Sequence, residues 1–162
     1  YVWGIPGLSE SDAHKVAVGN ILLKFSAAVF RLCLRLQIPV VLENPHTSMI
    51  WYASPVQHLL THRSVNYEFT DFCQEGCPYR KRTRFLFAFL DLRHCCRHCP
   101  ARRGRCNQSG KPHQQLVGCP NGVFLTKLAE PYPLSLCRRL ASTIGYSIAA
   151  KIAEPIHELF NR

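Results

Sequence analysis

Apolar residues recur along the chain in two distinct rhythms. Ile21, Leu22, Phe25, Ala28, Val29, Leu32 and Leu36 follow one another at spacings of three and four, through to Gln37. That pattern predicts an amphipathic helix whose other side carries Lys24, Arg31 and Arg35 and whose apolar stripe packs on something apolar. Gly4-Ile-Pro-Gly7 is a turn signal ahead of it, and Ser9 with Asp12 three residues later resembles a capping box that opens the helix. Ile38 to Leu42 is a short β-branched run without alternation, the signature of a strand buried on both faces. Ser48 to Leu60 predicts a second helix that Pro55 ends or kinks. Val65 to Phe69 and Arg84 to Leu90 read as further strands. Leu136, Leu140, Ile144, Ile148 and Ile152 then return every four positions, giving a last helix weakened at Gly145 and ended or kinked near Pro155.

Between these elements, His94 to Gly122 holds Cys, His, Gly, Pro and Arg with no periodicity, and something other than an apolar core must order it. The predicted layout is one α/β domain: an α/β block over 1–92, a Cys/His-rich irregular insert over 93–122, and a C-terminal helical segment over 123–162 that returns to the block. The 162 residues suit a single domain, and no internal repeat is visible.

Composition adds a partner class. An apolar fraction of 47% excludes a mostly disordered or collagen-like chain. Twenty Lys and Arg against ten acidic residues leave a formal charge of +10, which suits a polyanion such as nucleic acid. No uninterrupted apolar run reaches the roughly 18 residues of a membrane span, since Asn20 to Gln37 carries three cations. No membrane partner, secretory signal or obligate protein partner is read, and a first residue of Tyr1 suggests that the chain is a fragment.

Three groups of residues carry candidate chemistry. Glu43-Asn44-Pro45 follows the first strand, where the carboxyl end of an α/β strand meets the usual ligand crevice, and a carboxylate there can hold or protonate a ring nitrogen; a plain strand exit with Glu43 in solvent is the alternative. The run Cys73-Gln-Glu-Gly-Cys-Pro-Tyr-Arg-Lys-Arg-Thr-Arg84 puts four basic residues in five positions. Alternation would set Arg80, Arg82 and Arg84 on one face with Lys81 opposite, an arrangement able to grip phosphates, or else a solvated basic loop. Third is Cys96-x2-Cys99-x6-Cys106-x6-His113, a four-ligand set for zinc, with His94, Cys95, His98 and Cys119 in reserve. Reduced structural thiols are the other reading of these cysteines.

In this order the pieces resemble the S-adenosylmethionine-dependent cytosine-C5 DNA methyltransferases. Leu42-Glu43-Asn44-Pro45 is similar to their strand-end ENV motif, and Glu75 to Phe87 (EGCPYRKRTRFLF) to their YGVPQxRxR motif followed by an apolar strand. The whole chain looks like a divergent branch met in protist and transposon-linked reading frames, through ENPHTSMIW (Glu43 to Trp51), DFCQEGCPYRKRTR (Asp71 to Arg84), the Cys96 to Gly118 segment and LAEPYPLSLC (Leu128 to Cys137). The resemblance implies part of a Rossmann-like sheet flanked by helices, with S-adenosylmethionine as cofactor and DNA as partner. It implies Glu43 as the group that holds and protonates cytosine N3, Arg82 as support for the flipped base, and Arg80, Lys81 and Arg84 as nucleic-acid contacts. The departures are Tyr79 after the motif proline, one residue more between Pro78 and Arg82, and Asn44-Pro45 for Asn-Val. Neither a Gly-x-Pro-Cys nucleophile loop nor a glycine-rich cofactor loop is present, so no cysteine here takes the nucleophile's place. The implied protein is intracellular and nuclear, its zinc structural. The other functional class is a zinc-stabilised nucleic-acid-binding module without catalysis, derived from a mobile element. A third is a structural or partner-binding domain whose basic surface is only solvated.

Overall fold

The computed structural model describes the backbone of residues 1–160 and side-chain surroundings through Ala153. Helix α1 spans Glu10–Leu36. Its N-terminus is capped as the sequence predicts: Ser9 Oγ accepts the Asp12 backbone N–H at 3.2 Å and donates to the Asp12 carboxylate at 2.9 Å. After a left-handed turn at Gln37, strand β1 runs from Val40–Pro45. The predicted second helix divides into a turn of 3-10 helix at Met49–Tyr52 and helix α2 at Ser54–Leu60. Pro55 stands in the first turn of α2, where its missing N–H costs nothing, so it starts the helix rather than ending it. Strands β2 (Val65–Asp71) and β3 (Arg82–Ala88) follow, and helix α3 closes the described chain at Leu134–Phe160, passing Gly145 without a break and with bounds beyond Pro155.

The fold is mixed α/β, and its sheet has three strands in the order β1-β3-β2, antiparallel throughout. A parallel, doubly wound sheet does not occur among the described residues. β1, read as doubly buried, is an edge strand of half-buried residues that continues through Glu43, Asn44 and Pro45. The central position belongs to β3, and its run Arg84 to Ala88 lacks alternation because both faces are covered. One face, with Leu86, Ala88, Val40, Leu42 and Val65, packs on Ala27 and Phe30 of α1, Val56 and Leu59 of α2, and Trp51. The other, with Phe85, Phe87 and Val41, packs on Leu92, Cys95, Tyr132 and Leu140 of α3.

Helix α1 departs most from expectation. Its inward stripe is Ala27, Phe30 and Leu34, whereas Ile21, Leu22, Phe25, Val29, Leu32 and Leu36 face outward. The helix is apolar on two sides, so spacing alone selected the wrong one. By length and composition alone α1 could cross a membrane; here its inner side packs on α2 and β1. Phe30 is 2% exposed and Phe25 66%. Phe30→Ala is therefore expected to cost about 3–5 kcal/mol in urea unfolding, and Phe25→Ala within about 0.5 kcal/mol of nothing.

Candidate metal centre

The turn that leaves β2 makes one corner of the centre. Phe72–Glu75 forms a single turn of 3-10 helix, closed by Gly76 at φ 90°, a conformation that a side chain would strain. This turn aims Cys73 inward. The second and third corners come from the insert: Cys99 follows the short helical turn Arg93–Cys95, and Cys106 follows Arg102–Gly104. A tight reversal then brings His113 back, with Cys106 N–H donating to Lys111 carbonyl and Gly110 N–H to Cys106 carbonyl, both at 2.9 Å.

One ligand atom from each of Cys73, Cys99, Cys106 and His113 lies within 4.8 Å of all the others. Cys99 Sγ stands 3.5 Å from His113 Nε2. Zinc–sulfur bonds of about 2.3 Å give tetrahedron edges of about 3.8 Å, so three soft sulfurs and an imidazole at this separation fit a structural zinc ion. The three cysteines are buried, and all nine cysteines of the chain are unpaired. Burial, with neighbouring Cys99 and Cys106, pushes the Cys73 thiol up to about 12. Burial acts upward on Cys106 too, but the backbone N–H groups of Ser109 and Gln108, the Ser109 hydroxyl and His113 outweigh it and bring the thiol down to about 6. Gln74 Nε2 lies 3.6 Å from Cys73 Sγ, 3.8 Å from Cys106 Sγ and 2.8 Å from Asn107 Oδ1, an amide donor laid across two sulfurs.

Three of the four residues predicted from spacing thus come together, and Cys73 stands where Cys96 was expected. Cys96 packs instead beside Phe85, Phe87 and Leu92, where burial pushes its thiol up to about 12. The reserve ligands are elsewhere. Cys95 Sγ lies 2.9 Å from Thr143 Oγ1, His98 pairs with Glu68 at 3.5 Å, and Cys119 is exposed. Cys73 escaped the spacing argument because 25 residues and the whole of β3 separate it from Cys99; its only local signal was the CQEG turn.

Asp71, fully buried, joins this corner to the sheet. Its carboxylate accepts Arg82 Nε at 2.8 Å, Arg82 Nη2 at 2.7 Å, Arg80 Nε at 3.3 Å and the Cys99 backbone N–H at 2.7 Å. Burial works to raise its pKa, but the Arg82 guanidinium and the Cys99 N–H prevail and hold it below the usual carboxylate range. Arg80 and Arg82 do turn to one side, toward Asp71 rather than toward solvent. Lys81 reaches the other way: its Nζ donates to the Ala129 carbonyl at 2.6 Å and lies 4.7 Å from the Phe72 ring centroid. Arg84 stacks among Trp51, Tyr67 and Phe69. Glu43 accepts Thr83 Oγ1 at 3.0 Å on the face that carries Phe85, whereas Arg82 is in register with the opposite face.

Replacing Asp71 leaves two guanidiniums and an amide without their acceptor. Asp71→Asn is expected to destabilise the fold by about 3 kcal/mol or more at neutral pH, read by urea unfolding with zinc present. Because the folded-state pKa is depressed, the carboxylate's contribution is complete above its ordinary value of about 3.9 and fades as pH falls. The gap between native and variant protein should therefore narrow below about pH 4.

The chain matches no family model, no curated protein and no solved structure.

Proposed function

We propose that the chain is a zinc-stapled module that binds nucleic acid. The observation that carries this reading is the Cys73, Cys99, Cys106 and His113 cluster, together with what it would hold in place. From Leu92 to Ala129 the chain contains no Asp or Glu but seven Lys and Arg. Such a segment repels itself and builds little core, so it needs a covalent or metallic tie to keep one shape. The loop between Cys99 and His113 leaves Arg102, Arg103, Arg105 and Lys111 exposed. These cations, more than Arg80 and Lys81, are free to meet phosphates. Four protein ligands leave a zinc ion no open position, so its part would be structural. Unpaired thiols suit an intracellular, reducing compartment, and a nucleic-acid partner suits the nucleus.

A second reading, part of a cytosine-C5 DNA methyltransferase that uses S-adenosylmethionine, has Glu43 in its favour. That carboxylate is fixed by Thr83 beside Tyr132, whose hydroxyl is pushed up by burial and by Glu43 itself. The reading also requires Arg82 to leave Asp71 for a base and the rest of a Rossmann-like sheet to come from sequence outside this chain. The geometry supports it less well.

The deciding experiment combines elemental analysis with binding at several salt concentrations. One zinc per chain is expected, lost in Cys73→Ala and His113→Ala and kept in Cys96→Ala. With Arg102, Arg103 and Arg105 all changed to Gln, zinc should remain while the slope of log affinity against log salt falls by about 2–3. Absence of zinc, or binding indifferent to salt, would overturn the proposal, and S-adenosylmethionine binding by the same samples would favour the second reading.

A further inference from the structure

Within the basic run, Arg84 differs from its neighbours. Arg80 and Arg82 share the Asp71 carboxylate, and Lys81 has the Ala129 carbonyl. The Arg84 guanidinium lies 4.4 Å from the ring centroid of Tyr67, 4.8 Å from Trp51 and 5.7 Å from Phe69. Its Nε is buried and meets no hydrogen-bond partner among the described residues. Burial draws its pKa down, and the groups that act against this are the hydroxyls of Tyr67 and Tyr52, with no carboxylate among them. A cation held by ring faces, whose terminal guanidinium nitrogens make no hydrogen bond among the described residues, is poised for an acceptor from outside the chain.

The surroundings say which acceptor. Tyr67 and Phe69 alternate along the edge strand β2, with their rings 5.5 Å apart. Tyr67 is 50% exposed and Tyr52 66%. Exposed His46 lies edge-on to Phe69 at 4.7 Å, and His98 approaches the same ring at 6.4 Å. Rings standing open beside an arginine offer stacking surface to flat heterocycles, and a guanidinium can stack on one base while donating to a phosphate or a base edge. Bases inside a duplex cannot reach such rings; unpaired bases can. The patch also reaches toward the metal loop, since His98, which approaches Phe69, immediately precedes the ligand Cys99.

We infer that Arg84, with Tyr67 and Phe69, forms the base-stacking centre of a site for single-stranded nucleic acid. The inference rests on the nucleic-acid reading above and narrows it to unpaired strands.

The test uses the full zinc-loaded chain and a fluorescein-labelled oligothymidylate of about 12 nucleotides, alone and annealed to its complement. The native chain should bind the single strand at least about tenfold more tightly than the duplex. Arg84→Lys keeps the charge but loses the planar stack, and it should weaken single-strand binding about tenfold while leaving duplex binding unchanged. Tyr67→Leu should cost about fivefold and Tyr67→Phe less than about twofold, since the ring and not the hydroxyl would stack. Zinc content and circular dichroism confirm that each variant is folded. Should Arg84→Lys fail that control, the Tyr67 pair decides alone. Equal affinity for the two forms, or Tyr67→Leu binding like the native chain, overturns the single-strand inference and leaves the broader proposal standing. Failure of the native chain to bind either form overturns both.

Discussion

A buried carboxylate governs this structure. Asp71 sits at the end of β2 with no exposed surface, where an unpaired charge would be prohibitively costly, and it survives because four donors converge on it. Two come from Arg82 at the start of β3, one from Arg80 just before it, and one from the backbone of the insert. One side chain therefore sets the register of the basic run against β2 and fixes Cys99 above the turn that carries Cys73. Lighter ties reinforce that junction, among them the Asp71 N–H donating to the Arg97 carbonyl at 2.9 Å and Gln74 Nε2 donating to Asn107 Oδ1 at 2.8 Å.

Around this junction, charged groups do structural work that apolar ones usually do. Glu75 accepts Ser135 Oγ at 2.6 Å and Arg139 Nη1 at 3.0 Å, docking α3 onto the turn after β2. Lys81 holds its ammonium 4.7 Å from the Phe72 ring centroid and 5.2 Å from that of Tyr132. The basic run thus reads two ways. By composition it is a stretch of free cations, but in place most of its charge is consumed by Asp71, a backbone carbonyl and aromatic faces. The free positive charge moves to the metal loop, where no carboxylate competes for it.

How much of this was legible depended on distance along the chain. The Ser9 cap, the three strands, and the grouping of Cys99, Cys106 and His113 are local patterns and could be read directly. Cys73 could not be paired with them by spacing, because the tie runs through β3 and Asp71 rather than along the chain. The partners of Arg80, Lys81 and Arg82 were hidden for the same reason. Helix α1 failed differently: two apolar stripes satisfy the same periodicity, and only the packing of Ala27 and Phe30 chooses between them. The edge position of β1 was equally invisible, since a run of Val and Leu looks alike at the edge and in the centre of a sheet.

The order in which the chain visits the four ligands has a topological result. Cys73 and Cys99 bracket β3 entirely, so with a metal bound the central strand lies inside a closed ring of protein. The smaller rings, Cys99 to Cys106 and Cys106 to His113, hang from it. Such closures act on the unfolded chain by removing its freedom to expand, and the longest ring removes the most. A single backbone cut in the exposed stretch 102–105 would leave the two halves still fastened to each other through the ion.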